Sequence, residues 1–253
     1  MNIVMITGAS SGIGKEFAMQ MDAGLHTIDE FWLIARSRER LESLAASMHH
    51  KTRIFPMDIT DDSFLTQIED ALKENKATIR ILINCAGYGL MGSFADLERG
   101  GQTGMIRLNC EALTNMTHRM IPYMKRNSRI IQLASSAAFL PQINFAVYAA
   151  TKSYVLSFSR ALNRELKARG ITVTSVCPGP VDTPFFDIAE QYGTTLAIKK
   201  YTCVTPDKVV KKALRDSLKR KSTSVCSLPI QAFEVLAKLV PHEAILSTTE
   251  RMK

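Results

Sequence analysis

Nowhere in its 253 residues does the chain hold an apolar run near the roughly 18 residues that a membrane-spanning helix needs. The opening stretch Met1–Ile6 has no basic residues ahead of it and gives way to Thr7-Gly8, too soon for a signal peptide. No CxxC occurs. The five cysteines (Cys85, Cys110, Cys177, Cys203, Cys226) are odd in number and scattered, which excludes a disulfide scaffold. Each is read as a small buried side chain. The histidines lack ligand spacing, so no metal is expected. Internal repeats, low-complexity tracts and linkers are missing as well. These absences predict one cytoplasmic domain over residues 1–253, without stable membrane insertion.

What is present is a basic, ordinarily apolar chain. Its net charge is +8 and 46% of its residues are hydrophobic, enough for a sizeable core. The densest basic run, Lys219-Arg220-Lys221, ends a helical pattern, where cations are favoured anyway. It is not interleaved with aromatics, so no nucleic-acid partner is expected. The excess charge can instead attract an anionic cofactor or substrate.

Short apolar runs alternate with helical periodicities. Strands are predicted over Ile3–Thr7, Phe31–Ala35, Arg53–Met57, Ile79–Asn84, Arg129–Leu133, Ile171–Cys177 and Ser224–Leu228. Helices are predicted from Gly12, from Ser37, from Asp61 or Asp62, along a stretch ending near Lys125, and from Tyr148 to Ala168. Two more are predicted from Thr205-Pro206-Asp207, with Thr205 as N-cap, and over Pro229–Val240. Leu25–Glu30 is predicted as a surface loop. Continuously apolar strands alternating with helices describe an α/β, doubly wound Rossmann fold: a central parallel sheet of about seven strands with helices on both faces. A ligand then belongs at the carboxyl ends of the strands, where the winding reverses.

The turn Thr7-Gly8-Ala9-Ser10-Ser11-Gly12-Ile13-Gly14 joins the first strand to the first helix. Glycine there allows a tight turn and close approach of a phosphate, and the helix start offers N–H donors to a pyrophosphate. Gly8, Ser10, Ser11, Gly12, Ile13 and Gly14 are therefore candidate cofactor residues, although the spacing GxxxGxG differs from the GxGxxG fingerprint. An ordinary tight connection is the alternative. The second strand ends in Arg36-Ser37-Arg38. An acid there would hold the ribose 2′-hydroxyl of NAD, whereas two arginines and a hydroxyl suit the 2′-phosphate of NADP. NADP(H) is thus expected over NAD(H).

Tyr148 and Lys152, four apart at a helix start, share one face. A free tyrosine, with a pKa of about 10, is a poor base near neutrality. A neighbouring ammonium favours the phenolate, so Tyr148 can exchange a proton with a carbonyl or alcohol oxygen. Ser135, at the end of the preceding strand, can hydrogen-bond the same oxygen. A solvated Tyr–Lys pair is the bland alternative, but the order of motifs along the chain speaks against it.

That order resembles the short-chain dehydrogenase/reductase family, in its compact single-domain branch, over about residues 3–186. TGASSGIG matches its TGxxxGxG, NCAG at 84–87 its NNAG, SSAA at 135–138 its serine motif and YAATK its YxxxK, with PGPVDT after the sixth strand. Two departures stand out: Cys85 replaces an amide, and Ala137-Ala138-Phe139 lacks a glycine common after the serine motif. The resemblance implies that Ser135 orients a carbonyl and Tyr148 is the acid/base. Lys152 would lower the Tyr148 pKa and bind the nicotinamide ribose, and Asn109 would hold a water relaying protons to Lys152. Asp58, with Ile59 beside it, would meet the adenine. Asn84 would brace the sheet centre, and Ala86 and Gly87 would admit the adenosine ribose. Pro178, Gly179, Val181 and Thr183 would line the nicotinamide side. The resemblance also implies a homodimer or homotetramer joined through helices at about 101–125 and 148–168.

Residues 180–205 are read as a substrate lid and 229–253 as a C-terminal extension. Phe139, Leu140, Pro141, Phe145 and Phe185 suggest an apolar pocket. The expected activity is an NADP(H)-dependent oxidoreductase acting on an apolar carbonyl or secondary alcohol. A non-catalytic dinucleotide sensor is the alternative, and an epimerase or dehydratase on the same fold a third.

Overall fold

The computed structural model describes residues 1–192 and 202–245. Its strands are β1 (Asn2–Thr7), β2 (Glu30–Ala35), β3 (Lys51–Pro56), β4 (Thr78–Asn84), β5 (Met124–Leu133), β6 (Thr172–Val176) and β7 (Thr223–Ser224). They pair in parallel in the order β3-β2-β1-β4-β5-β6-β7, so the winding reverses between β1 and β4. The helices are α1 (Gly12–Gly24), α2 (Arg38–Ala46), α3 (Asp62–Glu74), α4 (Arg99–Ile106), α5 (Leu113–Met120), α6 (Ala146–Glu165), α7 (Phe185–Ala189), α8 (Pro206–Leu218) and α9 (Leu228–Leu239). This is the doubly wound Rossmann arrangement expected of the alternation.

Successive strand residues point to opposite faces, and both faces are covered. On one, Met5, Trp32, Leu82 and Ile130 pack against Phe64 and Ile68 of α3 and Met116 of α5. On the other, Ile6, Leu33, Ile83 and Ile131 meet Phe17 of α1, Leu41 of α2 and Val209 of α8. Helix starts follow the expected chemistry. Ser37 Oγ accepts from the Arg40 N–H at 3.4 Å, and Asp61 from the Ser63 N–H at 2.9 Å. The helix expected over Tyr148–Ala168 runs over Ala146–Glu165 with Leu166 as its C-cap, and Gly170, with a left-handed φ of 68°, turns the chain toward β6 rather than ending the helix. Thr205 precedes α8 in extended conformation, but its hydroxyl makes no capping bond.

Several boundaries differ from expectation. The helix expected to reach Lys125 ends at Met120, followed by one 3₁₀ turn (Ile121–Tyr123) around Pro122, and β5 begins at Met124 rather than Arg129. Lys125, Arg126 and Asn127 in its first half are polar and exposed, which hides a strand from pattern reading. The last strand is two residues, not Ser224–Leu228, because Leu228 already opens α9. Leu25–Glu30 is not wholly a surface loop: Ile28 is buried and Glu30 belongs to β2, 1% exposed. Glu30 tolerates burial because it accepts from Trp32 Nε1 at 2.9 Å and faces Lys51 and Arg53 at 3.6 and 3.7 Å. Arg53 also stands 5.2 Å over the Trp32 ring. Among the cysteines, Cys85 and Cys177 are buried, whereas Cys203 is exposed on the segment that leads into α8. Residues 193–201 of the expected lid and 246–253 of the expected extension lie outside the described residues. No helix among the described residues is long and apolar enough to cross a membrane.

Asp22 ties α1 to the loop before β3. Burial pushes its carboxyl pKa up, but hydrogen bonds from the backbone N–H groups and imidazoles of His49 and His50, at 2.8–2.9 Å, outweigh this and hold it far below the usual range. A depressed folded pKa gives stability that is present above the unfolded value of about 3.9 and lost as pH falls through the folded value. Asp22→Asn should therefore cost roughly 1–3 kcal/mol at pH 7 by urea denaturation. The gap to the parent should shrink below about pH 4. A gap unchanged by acid would show that the carboxylate charge is not what stabilises.

Candidate active site

The sheet's winding reversal puts the carboxyl ends of β1 and β4 side by side. Thr7 Oγ1, buried at the end of β1, accepts from the Cys85 and Ala86 N–H groups, both at 3.2 Å. Gly8 follows with φ 69°, and a Cβ there would lie 2.8 Å from Ala86 N. A Cβ on Gly14 would fall 2.2 Å from the Gly8 carbonyl. Two glycines are thus required by sterics alone. The Ser11 side chain does not cap α1, leaving the first N–H groups of that helix without a side-chain acceptor. Ser10, Ser11, Gly12 and Ile13 form the remainder of this cradle. It suits the pyrophosphate of a dinucleotide: small, glycine-walled and rich in N–H donors. Thr183, on the far side of the crevice, would meet a Cβ on Gly12 at 3.3 Å.

Arg36 and Arg38 are exposed beyond the end of β2. Arg38 lies 3.6 Å from Glu42, and the Arg36 charge is felt at the hydroxyl of Tyr88, whose pKa burial nevertheless raises. Asp58 accepts from the Thr60 N–H at 2.9 Å and its hydroxyl at 2.8 Å, fixing the turn after β3. Ile59 beside it is buried. Asn84 is turned into the sheet centre. Its amide donates to Thr117 Oγ1 at 3.0 Å and Gln132 Oε1 at 2.9 Å, linking β4, β5 and α5. Pro178 accepts from the Ser136 N–H at 2.8 Å, and Ile230 of α9 packs where a Gly179 Cβ would sit. Val181 forms a β-bridge with Val204, which ties together the two ends of the expected lid.

The structure brings Ser135, Tyr148, Lys152 and Asn109 to one place. Ser135 follows β5 and lies near enough to the Tyr148 hydroxyl to lower its pKa, while Ser135 Oγ accepts from the Ala137 N–H at 3.1 Å. Tyr148 and Lys152 lie on the buried face of α6. Lys152 Nζ donates to the Leu133 carbonyl at 2.8 Å and stands 5.6 Å from the centre of the Tyr148 ring. The expectation that this ammonium sets the Tyr148 pKa is not what the protein alone displays. Burial dominates and pushes the phenol up, and the nearby Ser135 hydroxyl offsets part of that rise. Asn109 lies in a π-helical turn, Arg107–Ala112, between α4 and α5. Its Oδ1 accepts from the Tyr88 N–H at 3.1 Å, and its Nδ2 donates to the Tyr88 carbonyl at 2.9 Å and Thr151 Oγ1 at 3.1 Å. A Cβ on Gly87 would come 2.8 Å from Asn109 Oδ1 and 3.4 Å from Lys152 Nζ.

Sequence reasoning missed the π turn, the Tyr88 backbone clamp, and the part played by Thr7 and Thr151. Thr7 carried a usable signal, a hydroxyl closing an otherwise apolar strand. On the substrate side, Phe145 stacks on Tyr148 (centroids 4.2 Å apart) and Phe185 packs on it at 5.5 Å. Phe139 is not with them: it pairs with Phe233 of α9 at 6.3 Å. Leu140 is buried and Pro141 exposed. A cavity of about 200 Å³ nearby is lined by Leu90, Leu97, Met105 and Val147 and by the polar Ser93, Gln102 and Asn144; Phe145, Tyr148 and Phe185 do not line it.

A family model described as short chain dehydrogenase matches residues 2–192. The chain is 34% identical over 188 residues to serine 3-dehydrogenase of Agrobacterium fabrum, covering 72% of this chain and 73% of that one. A short-chain dehydrogenase of Sphingobium yanoikuyae, solved with NADPH, superposes with a TM-score of 0.80 at 28% identity, over 98% of this chain and 96% of that one. A 3-ketoacyl-(acyl-carrier-protein) reductase of Brucella melitensis, solved with NADH, gives a TM-score of 0.74 at 25% identity, over 90% and 92%.

Lys152 is 4% exposed, and burial pushes its ammonium down to about 8, against an opposing pull from Cys85, Cys110 and Cys177. The unfolded lysine titrates near 10.4, so the unfolded chain binds more protons between those values, and stability rises with pH from about 8 to 10. Lys152→Met should make the free protein about 1–3 kcal/mol more stable at pH 7 by urea denaturation, with the difference narrowing above pH 8. A less stable variant at pH 7 would refute this cost.

Proposed function

The chain belongs to the short-chain dehydrogenase family and is a dinucleotide-dependent oxidoreductase, and from that premise we propose that it uses NADP(H) to interconvert an apolar carbonyl and its secondary alcohol. The observation that carries the proposal is Tyr148 with Ser135 near its hydroxyl and the buried Lys152 ammonium beside its ring, at the rim of a glycine-walled crevice. A non-catalytic sensor is not favoured, since the relatives compared are named dehydrogenases and reductases.

The bound nicotinamide supplies the two-electron chemistry at carbon. Gly8, Ser10, Ser11, Gly12, Ile13 and Gly14 hold the pyrophosphate. Arg36, Ser37 and Arg38 favour a 2′-phosphate, and Asp58 and Ile59 border the adenine. Ala86 and Gly87 allow the ribose close to β4, with Asn84 bracing the sheet beneath. Pro178, Gly179, Val181 and Thr183 face the nicotinamide. Ser135 and Tyr148 then address one substrate oxygen. Tyr148 delivers its proton as charge develops there, or removes one from an alcohol, and the Ser135 hydroxyl donates to the same atom. Lys152 steadies the phenolate that remains and holds the ribose. Asn109, fixed by Tyr88 and Thr151, positions a proton path to Lys152.

The apolar substrate class is supported by Phe145 and Phe185 on the Tyr148 ring and by the apolar side chains of the nearby cavity. The domain spans 1–253 in this reading, with 180–205 as lid and 229–253 as extension. Exposed Ile106 and Tyr154, on α4 and α6, support a homodimer or homotetramer joined there.

Tyr148→Phe should lower kcat by roughly 10²–10⁴-fold while the Kd for NADPH, followed by fluorescence, stays near that of the parent. Full turnover in that variant would remove Tyr148 from the role. In Arg36→Gln/Arg38→Gln the ratio of kcat/KM for NADPH over NADH should fall about tenfold or more. An unchanged ratio would sink the cofactor preference.

A further inference from the structure

Three arginines, Arg80, Arg129 and Arg220, lie near one another toward the amino-terminal edge of the sheet. β4 and β5 slip in register between Ile79, opposite Met124, and Ile81, opposite Arg129, so residues 125–128 bulge out. Ser128 Oγ fixes the bulge, donating to the Ile79 carbonyl at 2.8 Å and accepting from the Lys125 N–H at 3.2 Å. Arg80, at the slip, donates to the Arg126 carbonyl at 3.3 Å. Arg220 follows α8 with φ 56° and donates to Asn127 Oδ1 at 3.1 Å, and Asn127 itself has φ 68°. Two side-chain-bearing residues in left-handed conformation thus carry Arg220 onto the bulge. Arg129 lies within this group, half-buried.

None of the three is in an ion pair among the described residues, and the Arg129 guanidinium makes no hydrogen bond there. Burial lowers its pKa, and the charges of Arg80 and Arg220 lower it further. A half-buried guanidinium offers five fixed donors, and leaving them unmatched beside like charges is costly. The carboxylate nearest in sequence to Arg220, Asp216, is held by Lys212, Lys221 and Ser224. Arg80 and Arg129 stand four residues before Asn84 and Leu133, about 13 Å along the strands from the crevice end.

We propose that Arg80, Arg129 and Arg220 form a binding site for a small, doubly charged phosphate-type anion, separate from the dinucleotide crevice. Forked guanidinium donors converging from two strands and the end of a helix match such an oxyanion in charge and geometry.

The test is thermal unfolding with inorganic phosphate against sodium chloride of equal ionic strength, in the parent, Arg129→Gln, Arg220→Gln and Arg36→Gln. The midpoint should rise by roughly 2–5 °C in the parent and in Arg36→Gln. In the other two variants the rise should fall by at least half, and titration calorimetry should give binding about tenfold weaker. Without anion, Arg129→Gln should unfold no lower than the parent; if it fails to fold, exposed Arg220 carries the test. No rise in the parent, an undiminished rise in both variants, or a rise lost in Arg36→Gln would each overturn the proposal.

Discussion

An ammonium group stripped of water and given no carboxylate partner is an expensive object in a protein interior, and much of this site is organised around one. Lys152 is held by the carbonyl of Leu133 at the very end of β5. Its position requires that α6 lie tightly on the sheet, and Asn109 beside it requires that the chain leaving β4 have no side chain at Gly87. The Asn109 amide borders the same space and grips the Tyr88 backbone from both sides. Cofactor cradle, proton-exchanging phenol and the turn after β4 are therefore parts of one packing solution.

The reversal of winding between β1 and β4 opens the crevice, and the contacts across it are made by the Thr7 hydroxyl and the Gly8 backbone. Thr7 and Gly8 let β1 approach the segment from Cys85 to Ala86 far more closely than side chains would permit. That is why Cys85, in place of an amide, is tolerated there: the bracing falls to the Thr7 hydroxyl and, deeper in the sheet, to the Asn84–Thr117–Gln132 network.

Much of this was legible beforehand for physical reasons. Buried parallel strands must be apolar throughout, so β1, β2 and β4 announced themselves, and glycines with steric duties cannot be disguised. The rest depended on distant partners. Nothing in the run from Arg99 to Met120 marks the one-residue widening that makes the π turn at Asn109. Lys125 reads as the end of a helix, and Arg126 and Asn127 carry no strand pattern, although all three belong to a strand. Glu30 reads as loop because the cations that make its burial possible sit on the neighbouring strand. The state of Tyr148 follows from how deeply α6 is packed, which a four-residue spacing does not convey.

The single tryptophan, Trp32, is fully enclosed in β2, with its indole N–H committed to Glu30 and a guanidinium above its ring. A solitary indole in so dry and polarised a setting makes the chain its own optical gauge. Emission from that one ring reports whether the first half of the sheet is assembled, with no other tryptophan to blur the signal and no label to attach.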